Sequence, residues 1–72
     1  MAKDVHRSSN EDRKQLYRVH DAMAVLSLSR SVIYEQIRSG RLRSVTQGRS
    51  RLIPASAIAE YVALLESEAR AA

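Results

Sequence analysis

Only three residues, 27–29, separate two short segments with helical periodicity, and this spacing restricts the fold more than any other feature of the sequence. In the first segment a helix is predicted to begin near His20 or Asp21, either of which is placed to cap it. Its apolar residues are expected on one side: Ala22, Met23, Val25 and Leu26. A helix of about two turns is too short to be stable alone, so it must pack against its neighbour.

The second segment has clearer boundaries than the first. Ser29 is a favourable N-cap for a helix that runs to about residue 39, and Gly40 follows as a natural stop. Ile33 and Ile37 form an i, i+4 apolar pair that marks the buried side. Two short helices joined by so short a turn form a helix-turn-helix.

A basic hairpin is predicted after the second helix. Two β-compatible runs, residues 43–46 and 49–53, are separated by Gln47 and Gly48, a pair typical of a tight turn. A hairpin is marginally stable in isolation, so this one is expected to pack on the helices through Val45 and Ile53. Residues 16–19 alternate apolar and polar side chains and are compatible with a short edge strand.

A third helix is predicted from Ala55 to about residue 69. Pro54 ends the hairpin and suits the first helical position. The outer face of the helix is acidic and rich in alanine, and Glu66 and Arg70 are spaced as a weak i, i+4 pair. Its apolar stripe consists of Ile58, Tyr61, Val62 and Leu65.

The order helix, turn, helix, hairpin, helix predicts a winged helix-turn-helix, mainly α with a small β-hairpin, over residues 16–70. Residues 1–15 are predicted to be a flexible polar arm. A chain of 72 residues has little room for an enclosed pocket, and it lacks cysteine, metal-ligand spacing and a nucleophile–base pair. We therefore expect no enzymatic activity, no catalytic residues, and no metal, cofactor or small-molecule ligand. Because no apolar run approaches the length of a membrane span, we expect a cytoplasmic protein without a membrane partner.

Positive charge is concentrated in the middle of the chain and is carried there by arginine alone. Residues 16–53 hold seven arginines against Asp21 and Glu35, a net charge of +5, whereas residues 54–72 carry a net charge of −2. The planar guanidinium group suits phosphates and guanine edges. On composition alone, a solvated surface and a nucleic-acid-binding surface are equally compatible with this pattern.

The predicted fold turns this arginine excess into a candidate interface with double-stranded DNA. A helix fits the major groove, and an arginine-bearing hairpin tip fits the narrow minor groove beside it. The candidate recognition-helix residues are Ser29, Arg30, Ser31, Tyr34, Glu35 and Arg38. The candidate wing residues are Gln47, Gly48, Arg49, Ser50 and Arg51. Further phosphate contacts are predicted for Arg18, Arg41 and Arg43.

Three of these residues have a second interpretation. The carboxylate of Glu35 can accept a hydrogen bond from cytosine N4, or it can pair on the surface with Arg38 or Arg30. Tyr34 can contact the DNA backbone, or it can brace the hairpin from a half-buried position. Arg51 can face the groove or, because strand side chains alternate, lie over the core side of the hairpin.

The order and spacing of these motifs resemble the excisionase group of MerR-type winged helix proteins. The resemblance covers residues 16–62 and rests on L-S-R-S-V-I-Y, I-R-S-G-R-L, G-R-S-R and I-P-A-S-A-I-A-E-Y. It implies that the protein bends DNA at a phage or integrative-element attachment site and helps a tyrosine-recombinase integrase carry out excision in a bacterial host. Two residues depart from the family's pattern. Glu35 stands where a basic residue is frequent in the family, and Leu52 stands where a polar residue is frequent.

The favoured function is therefore a sequence-specific, DNA-bending excisionase that acts with integrase. The chain ends soon after the third helix, so we expect it to lack the dimerisation helix of a MerR-type activator and to bind beside neighbouring copies of itself. One alternative is a small phage or plasmid transcriptional regulator with the same DNA-binding domain. Another, from a different class, is a protein-interaction module such as an antitoxin or terminase adaptor, which would use the acidic third helix.

Overall fold

Three helices and a small sheet make up residues 14–71, the part of the chain that the computed structural model describes. The elements are β1 (Leu16–Arg18), α1 (Val19–Leu26), α2 (Arg30–Arg38), β2 (Val45–Gln47), β3 (Ser50–Pro54) and α3 (Ala55–Ala71). The strands form one antiparallel sheet in the order β1-β3-β2, so β1 is the predicted edge strand. This is the predicted winged helix-turn-helix. The predicted arm, residues 1–15, lies outside the described residues except for Lys14 and Gln15.

The turn between α1 and α2 is fixed by backbone and side-chain caps. Ser27 adopts a left-handed conformation with φ 57°, and the N–H groups of Ser27 and Leu28 both donate to the carbonyl oxygen of Met23. A left-handed residue other than glycine costs about 1–2 kcal/mol, which the packing of the two helices must offset. The Oγ of Ser29 accepts a hydrogen bond from the N–H of Val32 at 3.3 Å, which confirms the predicted N-cap of α2.

Gly40 stops α2 as predicted. Its φ of 85° lies in the left-handed region that glycine adopts without steric cost. The chain then turns back, so that the N–H groups of Arg41 and Leu42 donate to the carbonyl oxygen of Gln36 at 3.0 and 3.1 Å. This turn brings Leu42 into the core, where its side chain has no exposed surface.

The start of α1 differs from the prediction. The helix begins at Val19, and Arg18 occupies the N-cap position without a side-chain hydrogen bond, so neither His20 nor Asp21 caps it. The alternation over residues 16–19 is misleading because only the first three form a strand. Val19 packs into the core as the first residue of the helix and is 6% exposed.

The buried side of α1 is set by Val19 and Ala22, which lie one turn apart. Met23 and Leu26 lie on the same stripe and pack against the core. Val25 lies off this stripe and is 54% exposed, so its predicted place on the buried side is wrong.

The hairpin loop lies one residue later than predicted. Gln47 pairs with Ser50 at the ends of β2 and β3, which leaves Gly48 and Arg49 as a two-residue loop. Gly48 has φ 60° at the first loop position, the place that a type II′ turn gives to glycine. The shift places Arg49 in the loop itself.

Strand register decides which hairpin side chains reach the core. Ile53 lies opposite Tyr17 of β1 and is fully buried, as predicted. Val45 lies opposite Leu52, which neighbours Ile53 in the strand and therefore points to the other face of the sheet. Val45 is 42% exposed, so its predicted contact with the helices is wrong.

α3 packs against β3 and buries only its first half. Ala57, Ile58 and Tyr61 are buried, whereas Val62 and Leu65 of the predicted stripe are each 39% exposed. The helix begins directly after Pro54, which is the last residue of β3 rather than the first helical residue. The C-terminal half of α3 therefore extends past the core.

One apolar core joins the helices to the sheet. Its buried members are Val19, Ala22, Ile33, Leu42, Ile53, Ala57, Ile58 and Tyr61. Within residues 14–71 no buried side-chain polar atom lacks a hydrogen-bond partner. None of the helices described for this chain combines the length and the apolar character needed to cross a bilayer.

Candidate nucleic-acid interface

One side of α2 presents a polar surface at helical spacing. Ser31, Glu35 and Arg38 lie at i, i+4 and i+7, and all three are exposed, whereas Ile33 is buried on the other side. Arg30, the first residue of the helix, is also exposed and lies near the N–H groups of the helix N-terminus. These four residues form what we call the α2 face: Arg30, Ser31, Glu35 and Arg38.

The other two candidates on this helix also serve the fold. The Oγ of Ser29 accepts the capping hydrogen bond and lies 3.3 Å from the Oγ of Ser31. Tyr34 is half-buried and packs against the core. Each of them therefore has a structural role in addition to its predicted contact with DNA.

The predicted wing residues, 47–51, are all exposed, but their two arginines are held differently. Arg49 lies in the loop. Arg51 is paired with Thr46 across the hairpin and, by strand alternation, lies on the same face of the sheet as Ile53. Its Nη1 donates to the Oγ of Ser44 at 2.7 Å. Arg49 is thus the less constrained of the two.

Arg41 and Arg43 are turned toward α3. The guanidinium group of Arg41 forms a bidentate pair with Glu68, with both N–O distances 2.7 Å, and its Nε donates to Gln36 at 2.9 Å. The Nε of Arg43 donates to a carboxylate oxygen of Glu60 at 2.9 Å. The phosphate contacts predicted for both arginines stay predictions, but their charges are already compensated within the domain.

The acidic third helix therefore divides the arginines into two groups. Two of the seven arginines in residues 16–53 pair with its glutamates. No ion pair within residues 14–71 involves the others, which are Arg18, Arg30, Arg38, Arg49 and Arg51. The arginines of residues 16–53 that lack an ion pair in this part of the chain thus lie on β1, α2 and the hairpin.

The predicted pair between Glu66 and Arg70 is not formed in the described part of the chain. An isolated exposed i, i+4 pair gains little from ordering two long side chains, so its absence costs the helix little. The ion pairs that α3 does form among the described residues are those of Glu60 with Arg43 and of Glu68 with Arg41, two arginines that lie outside the helix.

These ion pairs lower the carboxyl pKa of both glutamates. The largest cause is the hydrogen bond from Arg41 to Glu68 and from Arg43 to Glu60, and Coulombic attraction acts in the same direction. The same hydrogen bonds raise the pKa of the two arginines. The pairs therefore persist at neutral pH and weaken only in acid.

We expect acid to weaken the attachment of α3. A carboxyl whose folded pKa is lowered stabilises the fold above its unfolded pKa, and this stability is lost as the pH falls through the folded pKa. The melting temperature should therefore decrease as the pH is lowered past about 5, and this decrease should be smaller in Glu68→Gln. Both glutamates are exposed, so the difference should be at most a few degrees in thermal melts followed by circular dichroism.

Glu66→Gln is the matched control, because Glu66 is an exposed glutamate of the same helix with no ion pair among residues 14–71. It should keep the acid-dependent fall of the wild type. An unchanged fall in Glu68→Gln would contradict the stabilising role of the Arg41 pair.

Comparison with protein families shows which kind of ligand this domain binds. The family model described as "Helix-turn-helix domain" matches residues 16–63, from β1 into the first half of α3. The chain belongs to this helix-turn-helix domain family. As a helix-turn-helix protein it binds DNA, and α2 is the second helix of its motif. No curated protein and no solved structure matches the chain.

Proposed function

We propose that this helix-turn-helix protein is an excisionase, an architectural protein that bends attachment-site DNA and directs a tyrosine-recombinase integrase toward excision. The observation that carries the proposal is the set of arginines without an ion pair in residues 14–71, which occupies both the α2 face and the hairpin. The resemblance of residues 16–62 to excisionases supplies the biological context.

In this proposal, α2 and the hairpin bind adjacent grooves. Arg38 reaches base edges in the major groove, while Arg30 meets a phosphate at the start of the helix. Arg49 enters the minor groove, where negative potential is strongest when the groove is narrow. The proposed interface does not depend on the predicted phosphate contacts of Arg41 and Arg43, whose guanidinium groups are paired with glutamates of α3.

Binding to neighbouring sites follows from the size of the interface. A single module of this kind buries about 600–1,000 Å² of protein surface on DNA, which is small for tight binding to an isolated site. Copies on adjacent sites, or an integrase bound beside them, add contacts that one domain lacks. Several bent sites in a row would also change the path of the attachment-site DNA.

A protein-interaction module built on acidic α3 is less well supported. Glu60 and Glu68 are engaged with Arg43 and Arg41, so their charges are not free to recruit a basic partner. The same contacts instead join α3 to the segment between α2 and β2. This observation favours α3 as a support for the DNA-binding surface.

Gel-shift titration on DNA that flanks the gene tests the proposal. We expect a stepwise ladder of complexes, and we expect fragments with the sites at their centre to migrate more slowly than fragments with the sites at one end, because the DNA is bent. Purified integrase from the same element should then excise the element faster when the protein is added. DNA of the same length with scrambled sites is the control.

Three results would count against an excisionase. A single salt-sensitive complex without bending would favour a transcriptional regulator with the same domain. A protein that bends DNA but leaves excision unchanged would not be an excisionase. If the protein does not bind DNA, or binds it with an affinity that does not depend on salt, the arginines without an ion pair in residues 14–71 do not form the DNA interface.

A further inference from the structure

Glu35 is an exception to the charge of the α2 face. Its exposed side chain lies between Ser31 and Arg38 on the helical stripe, and the other charged residues of this face, Arg30 and Arg38, are basic. A carboxylate held near DNA is repelled by the phosphates, so at this position it lowers the affinity for DNA of any sequence. A carboxylate at the centre of such a face is therefore a candidate for discrimination between sequences rather than for general affinity.

Ion pairing within the described chain does not account for Glu35. Arg38, three residues further along the helix, and Arg30 are the bases available on the same face. Yet no salt bridge within residues 14–71 involves Glu35. Glu60 and Glu68, by contrast, are both engaged with arginines. The Glu35 carboxylate is therefore directed to solvent rather than to the fold.

The chemistry of a carboxylate restricts what it can recognise in the major groove. An ionised glutamate only accepts hydrogen bonds, whereas guanine N7 and O6 and thymine O4 are themselves acceptors and repel it. Adenine offers a donor at N6, but its neighbouring N7 is an acceptor. The N4 amino group of cytosine is the donor that a carboxylate matches without such a conflict.

We propose that Glu35 is a specificity-determining residue that accepts a hydrogen bond from the N4 amino group of a cytosine in the target site. The assignment rests on the proposed placement of α2 in the major groove. Side chains three residues apart on a helix are neighbours, with Cβ atoms about 5–6 Å apart. Arg38 is therefore close enough to Glu35 to contact the guanine of the same or a neighbouring base pair, since arginine pairs with guanine O6 and N7.

The proposed hydrogen bond between Glu35 and cytosine affects the affinity for DNA in general and the specificity for one base in different ways. Without a cytosine amino group nearby, the carboxylate only repels DNA, so Glu35 penalises wrong sequences as well as favouring the right one. Removing the charge should therefore have opposite effects on two measurable quantities. Affinity for unrelated DNA should rise, and discrimination at one base position should fall.

The test compares Glu35→Ala and Glu35→Gln with the wild type. Binding sites are first selected by the wild type from a pool of random DNA duplexes, and affinities are then measured for the selected site with each base pair changed in turn. In the wild type, replacing the recognised cytosine should weaken binding by about 5- to 150-fold. In Glu35→Ala this loss should nearly vanish at that one position, while affinity for unrelated DNA rises.

Glu35→Gln should move the preference at the same position toward adenine, because a glutamine side chain pairs with adenine N6 and N7. Alanine and glutamine are both good helix formers, so α2 should stay folded, which circular dichroism checks. Glu66→Gln removes an equal charge from α3 and should change neither the base preference nor the affinity for unrelated DNA.

The outcomes separate this assignment from the proposed function. If Glu35→Ala binds all sequences more tightly and keeps every base preference, Glu35 is a solvated surface group and the assignment is wrong. If it loses affinity for all sequences equally, the assignment is also wrong. If the wild type itself shows no base preference, the sequence-specific function fails first.

Discussion

Ile53→Ala is expected to leave a large fraction of the protein unfolded at 37 °C. Ile53 lies in the central strand of the sheet, is fully buried, and faces the core on which both α1 and α3 pack. Truncating a buried isoleucine to alanine costs about 2–5 kcal/mol. A single core in a domain of this size rarely supplies more than about 3–5 kcal/mol of stability. The melting temperature should fall by at least about 8 °C, measured by circular dichroism.

Val45→Ala is the matched control in the same hairpin. It also shortens a β-branched residue, but Val45 is 42% exposed on the opposite face of the sheet. Its stability should change by about 0.5 kcal/mol or less. Equal destabilisation by the two substitutions would mean that the hairpin register differs from the one described.

The features that sequence predicted correctly are set by residues close together in the chain. Ser29 caps α2 because its side chain reaches an N–H group three residues ahead. Gly40 ends the same helix because its own backbone adopts a positive φ. The short turn between α1 and α2 requires the two helices to be neighbours. None of these features depends on the rest of the fold.

The predicted hairpin loop is one residue too early because Gly48 can be either the second or the first residue of a two-residue loop. Gln47-Gly48 and Gly48-Arg49 both contain the glycine that a two-residue loop favours. A Gln47-Gly48 loop of type I′ needs a positive φ at both residues, whereas Gly48-Arg49 as type II′ needs it only at the glycine, which favours the observed loop. The loop position does not explain Val45, because moving a two-residue loop by one position shifts the pairing by two residues and keeps each side chain on its face. With either loop, Val45 lies on the face opposite Ile53, so strand alternation alone contradicts its predicted place in the core.

The ion pairs of α3 carry no signal in the local sequence. Arg43 and Glu60 are separated by 17 residues, and Arg41 and Glu68 by 27. Charge counting treats all seven arginines of residues 16–53 as equivalent, although two of them are compensated by tertiary contacts. Buried Leu42, which lies between these two arginines, was missed for the same reason: only the fold shows that this segment turns back onto the core.

Replacing Arg38 and Arg49 together by alanine is expected to weaken binding to the selected DNA site by on the order of 100-fold or more. The estimate follows from one lost base-edge contact in the major groove and one lost contact to the minor groove or its phosphates. Each lost phosphate contact should also reduce the slope of log K against log salt concentration by about 0.9. Titrations at several salt concentrations measure both effects.

Arg70→Ala is the control that distinguishes the loss of specific DNA contacts from the loss of positive net charge. Arg70 is an exposed arginine near the end of α3 and forms no ion pair within residues 14–71. Its replacement by alanine lowers the net charge by one, as replacing Arg38 or Arg49 alone does. Two charges lost from the α2 face and hairpin should therefore cost far more than twice the effect of Arg70→Ala. Proportional losses would mean that the protein attracts DNA by its overall charge and that the α2 face and the hairpin do not form a defined interface.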